Sequence, residues 1–316
     1  MTFEFRVPIL PRPSFFSNVK LTALSLARLG SDYAAAPIRV SVGEGPDRDS
    51  VTTANIWSDA YPVEWQMVPC EANDAEFSSG LDRYAKPAGS DVIILIDADA
   101  CLMRPIDELL ENLRVAGRPT VAGMQAHFPP FLDRSTSEAQ WRLLLAGFGF
   151  PDAVLDRSYS MSSPIESGHC PPYFNYGFVA FNAAAFERIR PLMAGYMQKL
   201  LTQLAGTQSI YFTAQLALTL AILEADVDVL ELGPDYNCPN SDEMLAHGLR
   251  SVADIRVLHY LRKNVFNRHT FLCERQEFEA FRGTKFASSV VRAFQAHVLS
   301  LRDVFLDGPL PYEPGA

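Results

Sequence analysis

Five consecutive apolar residues, Val92-Ile93-Ile94-Leu95-Ile96, run straight into Asp97-Ala98-Asp99. A run with no polar alternation has no face to offer water, so as a strand it belongs inside a mostly parallel sheet covered by helices on both sides. Open sheets of this kind place their ligands at the carboxyl ends of the strands, where the two aspartates stand. In an extended backbone residues i and i+2 project to the same side, which predicts that the carboxylates converge while Ala98 points away.

The flanking sequence supplies the other layers of an α/β chain. Phe3 to Leu10 reads as a first strand, and Phe16 to Leu29 as a helix stopped by Gly30. Ile38 to Val42, ending in the turn-like Gly43-Glu44-Gly45-Pro46, and Val63 to Val68 read as further strands. A polar helix around Ser78 to Tyr84, a break at Pro87 and Gly89, the buried run and a helix from about Ile106 to Leu113 make the clearest unit. Gln125 to Pro172 is irregular, with one helix predicted over Ser137 to Ala146, and excursions of that length are commonly functional. A strand at Phe178 to Phe181, helices at Ala184 to Leu204 and Gln208 to Glu224, and short strands at Val227 to Leu232 and Ile255 to Leu258 follow. Phe286, Val290, Phe294, Val298, Leu301 and Phe305 fall on one helical stripe before a proline-containing tail from Gly308. This predicts one α/β domain over residues 1–265 with 125–172 inserted in it, and a helical extension over 266–316 packing on it.

Composition narrows the function classes. With 316 residues, 48% of them hydrophobic, the chain can bury a core, and 27 basic against 37 acidic residues give a net charge of −10 that argues against a nucleic-acid footprint. The five cysteines (Cys70, Cys101, Cys170, Cys238, Cys273) show no CxxC spacing and read as reduced thiols. The opening MTFEFRVPILPRPSFF carries Glu4 and three prolines where a secretory signal needs an apolar stretch. Leu216 to Leu223 falls far short of the roughly 20 residues of a membrane span. The expectation is a soluble, cytoplasmic protein without internal repeats.

Two converging carboxylates repel each other and are costly to bury unpaired, so a compensating cation is expected. Oxygen ligands, alone or with an imidazole, suit Mg²⁺ or Mn²⁺. A lone D-x-D would as readily cap a helix, but the whole segment DVIILIDADACLMRPIDELL resembles the metal-binding strand of nucleotide-sugar glycosyltransferases of the GT-A fold. It looks most like the family of galactosyltransferases, glycogenin and lipopolysaccharide transferases. The resemblance implies a GT-A fold, a Rossmann-like α/β domain with a central mostly parallel sheet. It also implies a Mn²⁺ or Mg²⁺ cofactor, a nucleotide-diphosphate sugar donor with UDP favoured, and hexosyl transfer.

Carried residue by residue, the resemblance runs in order from Phe3 to Lys263. SSGLDRYAKPAGSD places Arg83 close to the donor's nucleotide and diphosphate. YFNYGFVAFN is similar to a segment whose first asparagine, here Asn175, approaches the sugar, and whose glycine, here Gly177, lets the backbone come close. The family's Asp-Gln pair is matched by Ala214-Gln215, or less well by Thr207-Gln208, so Gln215 joins Asn175 in the catalytic expectation and the aspartate is absent. Tyr236-Asn237 matches a donor-side pair, and IRVLHY makes His259 the third metal ligand beside Asp97 and Asp99. Where the family has a diphosphate-holding lysine this chain has Leu261, Arg262 and Lys263, and both basic residues are candidates. Val7 and the loop to Ser17 are expected to hold the base, with Ala98 lying among the donor contacts. His127, His169, His247, His269 and His297 match nothing and read as structural or surface residues, with His127 and His169 left open because they lie in the excursion.

The family retains anomeric configuration, and the resemblance favours that here. An inverting enzyme would need a general base, for which Glu166 and Asp235 qualify by location. The excursion is the natural acceptor region, and carbohydrate, lipid and protein acceptors all fit it. Three alternatives compete, of which sugar-nucleotide pyrophosphorylases share the broad fold but need a Gly-rich N-terminal loop with basic residues, and Pro8 to Ser17 has no glycine. Haloacid-dehalogenase-like phosphatases also carry an acid pair after a strand, with Asp97 then the nucleophile and Asp99 the general acid. They need a later acidic pair, whereas Val227 to Leu232 is followed by Gly233-Pro234-Asp235. A nucleotide-sugar-binding or scaffold protein that has lost its chemistry would account for the missing aspartate and the altered Lys263 segment. The C-terminal stripe reads as core packing first, then as a homodimer contact or a membrane surface.

Overall fold

The computed structural model describes residues 1–43, 47–69, 80–262 and 265–306. Its strands are β1 (Phe3–Ile9), β2 (Ile38–Gly43), β3 (Val63–Val68), β4 (Val92–Ile96), β5 (Ala100–Leu102), β6 (Thr120–Gln125), β7 (Phe174–Asn182), β8 (Asp228–Glu231), β9 (Cys238–Pro239) and β10 (Val257–His259). Seven of them form one sheet in the order β3-β2-β1-β4-β7-β6-β8. Only β7 runs antiparallel, to β4 on one side and β6 on the other, so β4 and β6 present their carboxyl ends at the same edge. A second sheet, β5-β10-β9, sits just past the end of β4.

The buried run behaves as its composition demands. All five residues of β4 are fully buried. Val92, Ile94 and Ile96 point into one core with the inward faces of β1 and β2, and Ile93 and Leu95 point into another with β7 and the helices Ala183–Gln203 and Thr213–Ala225. One strand therefore holds two apolar layers together, and its register with β1 (Phe3↔Val92 to Arg6↔Leu95) fixes where it ends.

Several elements differ from the sequence expectation. The first helix begins at Pro13, where a missing N–H costs nothing, three residues earlier than predicted. The helix expected from Gln208 is a 3₁₀ turn (Gln208–Phe212) followed by an α-helix from Thr213. β6 was not anticipated, because Thr-Val-Ala-Gly-Met-Gln has weak strand character, but the Phe174 ring of β7 fills the space over Gly123 so closely that a Cβ there would lie 2.6 Å from it. The excursion is packed: Trp141 Nε1 donates to the Tyr159 hydroxyl at 2.7 Å, and its ring meets Tyr173 edge-on at 5.2 Å. The predicted helix around Ser78 to Tyr84 lies partly outside the described residues, as do Cys70 and the tail from Gly308.

The C-terminal stripe is also corrected. It is not one helix from Phe286 to Phe305 but Ser289–Ser300, started by the Ser288 side chain accepting from Val291 N–H and by Asp242, and ended where Leu301 turns extended. A helix at Arg275–Gly283, unforeseen, precedes it. Phe271, Phe281, Val290, Phe294 and Val298 share a core with Cys101, Leu258 and Tyr260 of the second sheet's neighbourhood. Among the described residues no helix is long and apolar enough to cross a membrane.

His297 sits at this junction, 8% exposed and 2.9 Å from Ser25 Oγ of the first helix. Burial, with Arg28 adding to it, pushes its imidazole down to about 4. Against an unfolded value near 6.5, the unfolded chain binds the extra proton between those two pH values, so this contribution is complete above about 6.5 and is lost as pH falls towards 4. Denaturant titration at pH 7 and 4.5 is expected to give a stability loss that is smaller in His297→Gln by on the order of 2 kcal/mol. Equal losses in the two proteins would refute the assignment.

Candidate metal and donor site

Beyond Ile96 the chain leaves the extended conformation at once. Ala100 N donates to Asp97 O at 3.0 Å, closing a turn through residues 98 and 99 that leads directly into β5. The carboxylates therefore converge through a turn and not through the strand alternation expected from sequence. Ala98 still points away, buried in the core, and its carbonyl accepts from the Tyr260 hydroxyl at 3.1 Å. Tyr260 N donates to Asp99 O at 2.9 Å, which fastens the end of β10 to the turn. That brings His259 to the acid pair: Asp97, Asp99 and His259 each offer one ligand atom, all within 4.8 Å of one another. Two carboxylate oxygens and one imidazole nitrogen are a donor set that fits Mn²⁺ or Mg²⁺.

The histidine is oriented by residues behind it. Asn237, fully buried, donates through Nδ2 to the Asn175 carbonyl at 3.2 Å, which leaves its Oδ1 to accept from His259 Nδ1 at 3.1 Å. Nδ1 then carries the hydrogen, and Nε2, 3.1 Å from Asp99 Oδ1, is the atom presented to the site. This packing leaves no space at Gly177: a Cβ there would lie 2.3 Å from His259 Nδ1 and 2.7 Å from Asn237 Oδ1. Glycine is needed here for the imidazole and its amide partner.

Arginines flank the pair on both sides. Arg83, 3% exposed, reaches Asp97 Oδ1 at 3.2 Å, lies 4.6 Å over the Tyr176 ring and donates to Gly80 O at 3.3 Å. Its own carbonyl accepts from the buried Arg6 at 2.8 Å. Arg268, which the sequence reading passed over, pairs with Asp99 Oδ2. The carboxylates are partly open to solvent, with side chains 29% and 22% exposed. Burial pushes Asp97 above the usual carboxylate range against the pull of Arg83 and His259. Burial acts the same way on Asp99, but His259 and Arg268 outweigh it and hold that group at about 2. Burial would lower His259, and Asp99 and Asp97 raise it instead.

The remaining expected residues divide. Asn175 joins the network, its Oδ1 accepting from Gly177 N–H at 3.2 Å. Val7 is fully buried, and the β1–β4 ladder stops one residue before it. Gln215 stands in the first turn of its helix, half-buried, its amide without a hydrogen-bond partner among the described residues. Tyr236 is a core residue, tilted against Phe178 at 6.1 Å with Arg256 over its ring at 5.6 Å. Arg262 is tied to Asn240 through its backbone N–H at 2.8 Å and spends its guanidinium on Glu243. Lys263 lies outside the described residues. His127, left open in the sequence, is anchored by Ser160 Oγ at 2.8 Å with an enclosed, unpartnered Nε2. Burial, reinforced by His259 and Arg262, pushes it down to about 4. Gln125 Nε2, fully enclosed at the end of β6, likewise has no partner among the described residues. Both lie at the carboxyl edge that β4 shares.

This architecture superposes on solved glycosyltransferases. The galactosyltransferase LgtC in complex with donor and acceptor sugar analogues matches over 98% of both chains with a TM-score of 0.51 at 12% identity. An active-site mutant of LgtC gives 0.53 over the same coverage, also at 12% identity. The chain has the GT-A glycosyltransferase fold. The bifunctional glycosyltransferase WbbM gives a TM-score of 0.52 at 13% identity over 93% of this chain, which spans 51% of WbbM. No protein-family model matches the sequence, and no curated protein matches it.

The crowding at Gly177 makes a prediction. Gly177→Ala is expected to displace His259 or Asn237 and to weaken Mn²⁺ binding by roughly tenfold or more, as loss of an outer-shell partner does at other metal sites. Calorimetric titration of Mn²⁺ checks it, and unchanged affinity in the folded variant would mean that the imidazole is not a ligand.

Proposed function

We propose that the protein is a metal-dependent glycosyltransferase that moves a sugar from a nucleotide-diphosphate donor, with UDP favoured. The observation that carries this reading is the Asp97, Asp99 and His259 group at the carboxyl end of β4 in a GT-A fold. The donor and acceptor sugar analogues bound to LgtC, which shares the fold over the whole chain, support it.

Breaking the bond to the anomeric carbon releases a nucleoside diphosphate with growing negative charge. A divalent ion held by Asp97, Asp99 and His259 Nε2 would supply Lewis-acid stabilisation of that leaving group. The protein's own residues do the rest. Arg83, stacked over Tyr176, opposes the upward push of burial on Asp97 and adds positive charge beside the diphosphate. Val7, near the carboxyl end of β1, and the loop to Ser17 are assigned to the base. Asn175 and Gln215 are assigned to the sugar, Gln215 with its amide uncommitted.

Retention of configuration is the proposed outcome. Both carboxylates that qualified as general bases are engaged elsewhere: Glu166 closes a capping box with Ser163, and Asp235 pairs with Arg256 at 3.3 Å. The acceptor is assigned to the edge beside the excursion, the carboxyl edge that β6 shares with β4. The phosphatase alternative lacks support, since only Asp235, already paired, follows β8 where an acidic pair is needed.

Calorimetric titration of UDP, with Mn²⁺ and again with EDTA, tests the reading. Binding is expected with Mn²⁺ alone, lost in the Asp97→Ala/Asp99→Ala double variant, and accompanied by slow hydrolysis of one or more UDP-sugars. Binding without hydrolysis of any UDP-sugar would favour the non-catalytic alternative. No UDP binding by the folded protein under any metal condition would overturn the donor assignment.

A further inference from the structure

Asp99 already has both oxygens committed within the protein, Oδ1 to His259 and Oδ2 to Arg268. With Arg83 on Asp97, the two carboxylates face two guanidiniums, so the acid pair is charge-balanced by side chains alone. A divalent cation entering this group would meet uncompensated positive charge at close range. Arg268 is not a stray surface residue. It rides on a turn in which Thr270 and Phe271 N–H groups donate to Asn267 O at 3.1 and 3.0 Å. Phe266 and Phe271 on either side of it pack together at 4.8 Å, and both contact Phe281 and Phe294 of the C-terminal helices. Its side chain is 19% exposed and that of Asp99 22%, so the pair is within reach of solutes.

We propose that Arg268 makes metal occupancy conditional on the donor: its guanidinium competes with the divalent cation for Asp99 until a nucleoside diphosphate draws it onto phosphate oxygens. This rests on the metal and donor assignment above and adds to it a coupling between the two ligands. The chemistry is suited to the transfer, because a guanidinium binds carboxylate and phosphate in the same forked manner. Removing Arg268 should therefore move the two affinities in opposite directions, tightening the cation alone and loosening the diphosphate. Damage to the fold would weaken both.

The test uses the full chain and Mn²⁺ alone, followed by the electron paramagnetic resonance signal of the free aqueous ion, in wild type, Arg268→Gln and Arg268→Lys. Arg268→Gln is expected to bind Mn²⁺ about tenfold more tightly than wild type without nucleotide, and UDP about tenfold more weakly at saturating Mn²⁺, with Arg268→Lys, which keeps the charge but not the fork, falling between the two. Equal or weaker Mn²⁺ binding by Arg268→Gln, with wild type binding the ion, leaves the metal site standing and overturns the role of Arg268. No Mn²⁺ binding by either protein, with or without UDP, removes the metal site and this coupling with it.

Discussion

Two carboxylates held within ligand distance at the end of a fully buried strand are the constraint around which this molecule is built. A buried, unpaired carboxylate costs several kcal/mol, and a second beside it adds repulsion, so such a pair persists only with matched positive charge nearby. Arg83 and Arg268 supply it from two distant parts of the chain, with the His259 imidazole against Asp99 between them. The environment also separates the partners. Asp97 is raised by burial, whereas Asp99, with a histidine on one oxygen and an arginine on the other, is held low. The two ligands of the pair thus stand in electrostatically different surroundings.

Precision at the pair derives from the scaffold behind it. β4 is locked between two apolar cores and cannot slide without exposing a face, which fixes the position of the turn at Asp97. On one side, the buried Arg6 of β1 bonds Glu4 at 2.6 Å and donates to the carbonyls of Arg83, Lys86 and Pro87, so the segment carrying Arg83 is held by the strand beside β4. On the other, Asn237 and the bare backbone of Gly177 form a slot that admits the imidazole in one orientation. The second sheet then hands the site to the C-terminal helices, whose aromatic core carries the turn bearing Arg268.

What the sequence made legible was local: the buried strand, the acid pair at its end and the alternation of strands and helices around it. His259 and Arg83 were legible only through the order of short segments along the chain, since neither spacing nor composition alone selects them. The turn that replaces strand alternation at Asp97 was hidden because i and i+2 converge in either geometry. β6 was missed because its strand identity comes from neighbours on both sides and from the Phe174 ring over Gly123. Arg268 carries no motif, and its contact with Asp99 spans 169 residues, a distance over which only tertiary structure speaks. The same holds for His127, whose unpartnered nitrogen matters only because β6 and β4 end at one edge.

The central claim is that Asp97, Asp99 and His259 Nε2 form the seat of a divalent cation that meets a nucleoside diphosphate. Diffraction at the manganese absorption edge from crystals grown with Mn²⁺ and UDP tests it most directly. The account predicts one anomalous peak enclosed by those three residues with the diphosphate against it. Bound UDP with no peak there, or a peak held by other side chains, would contradict it.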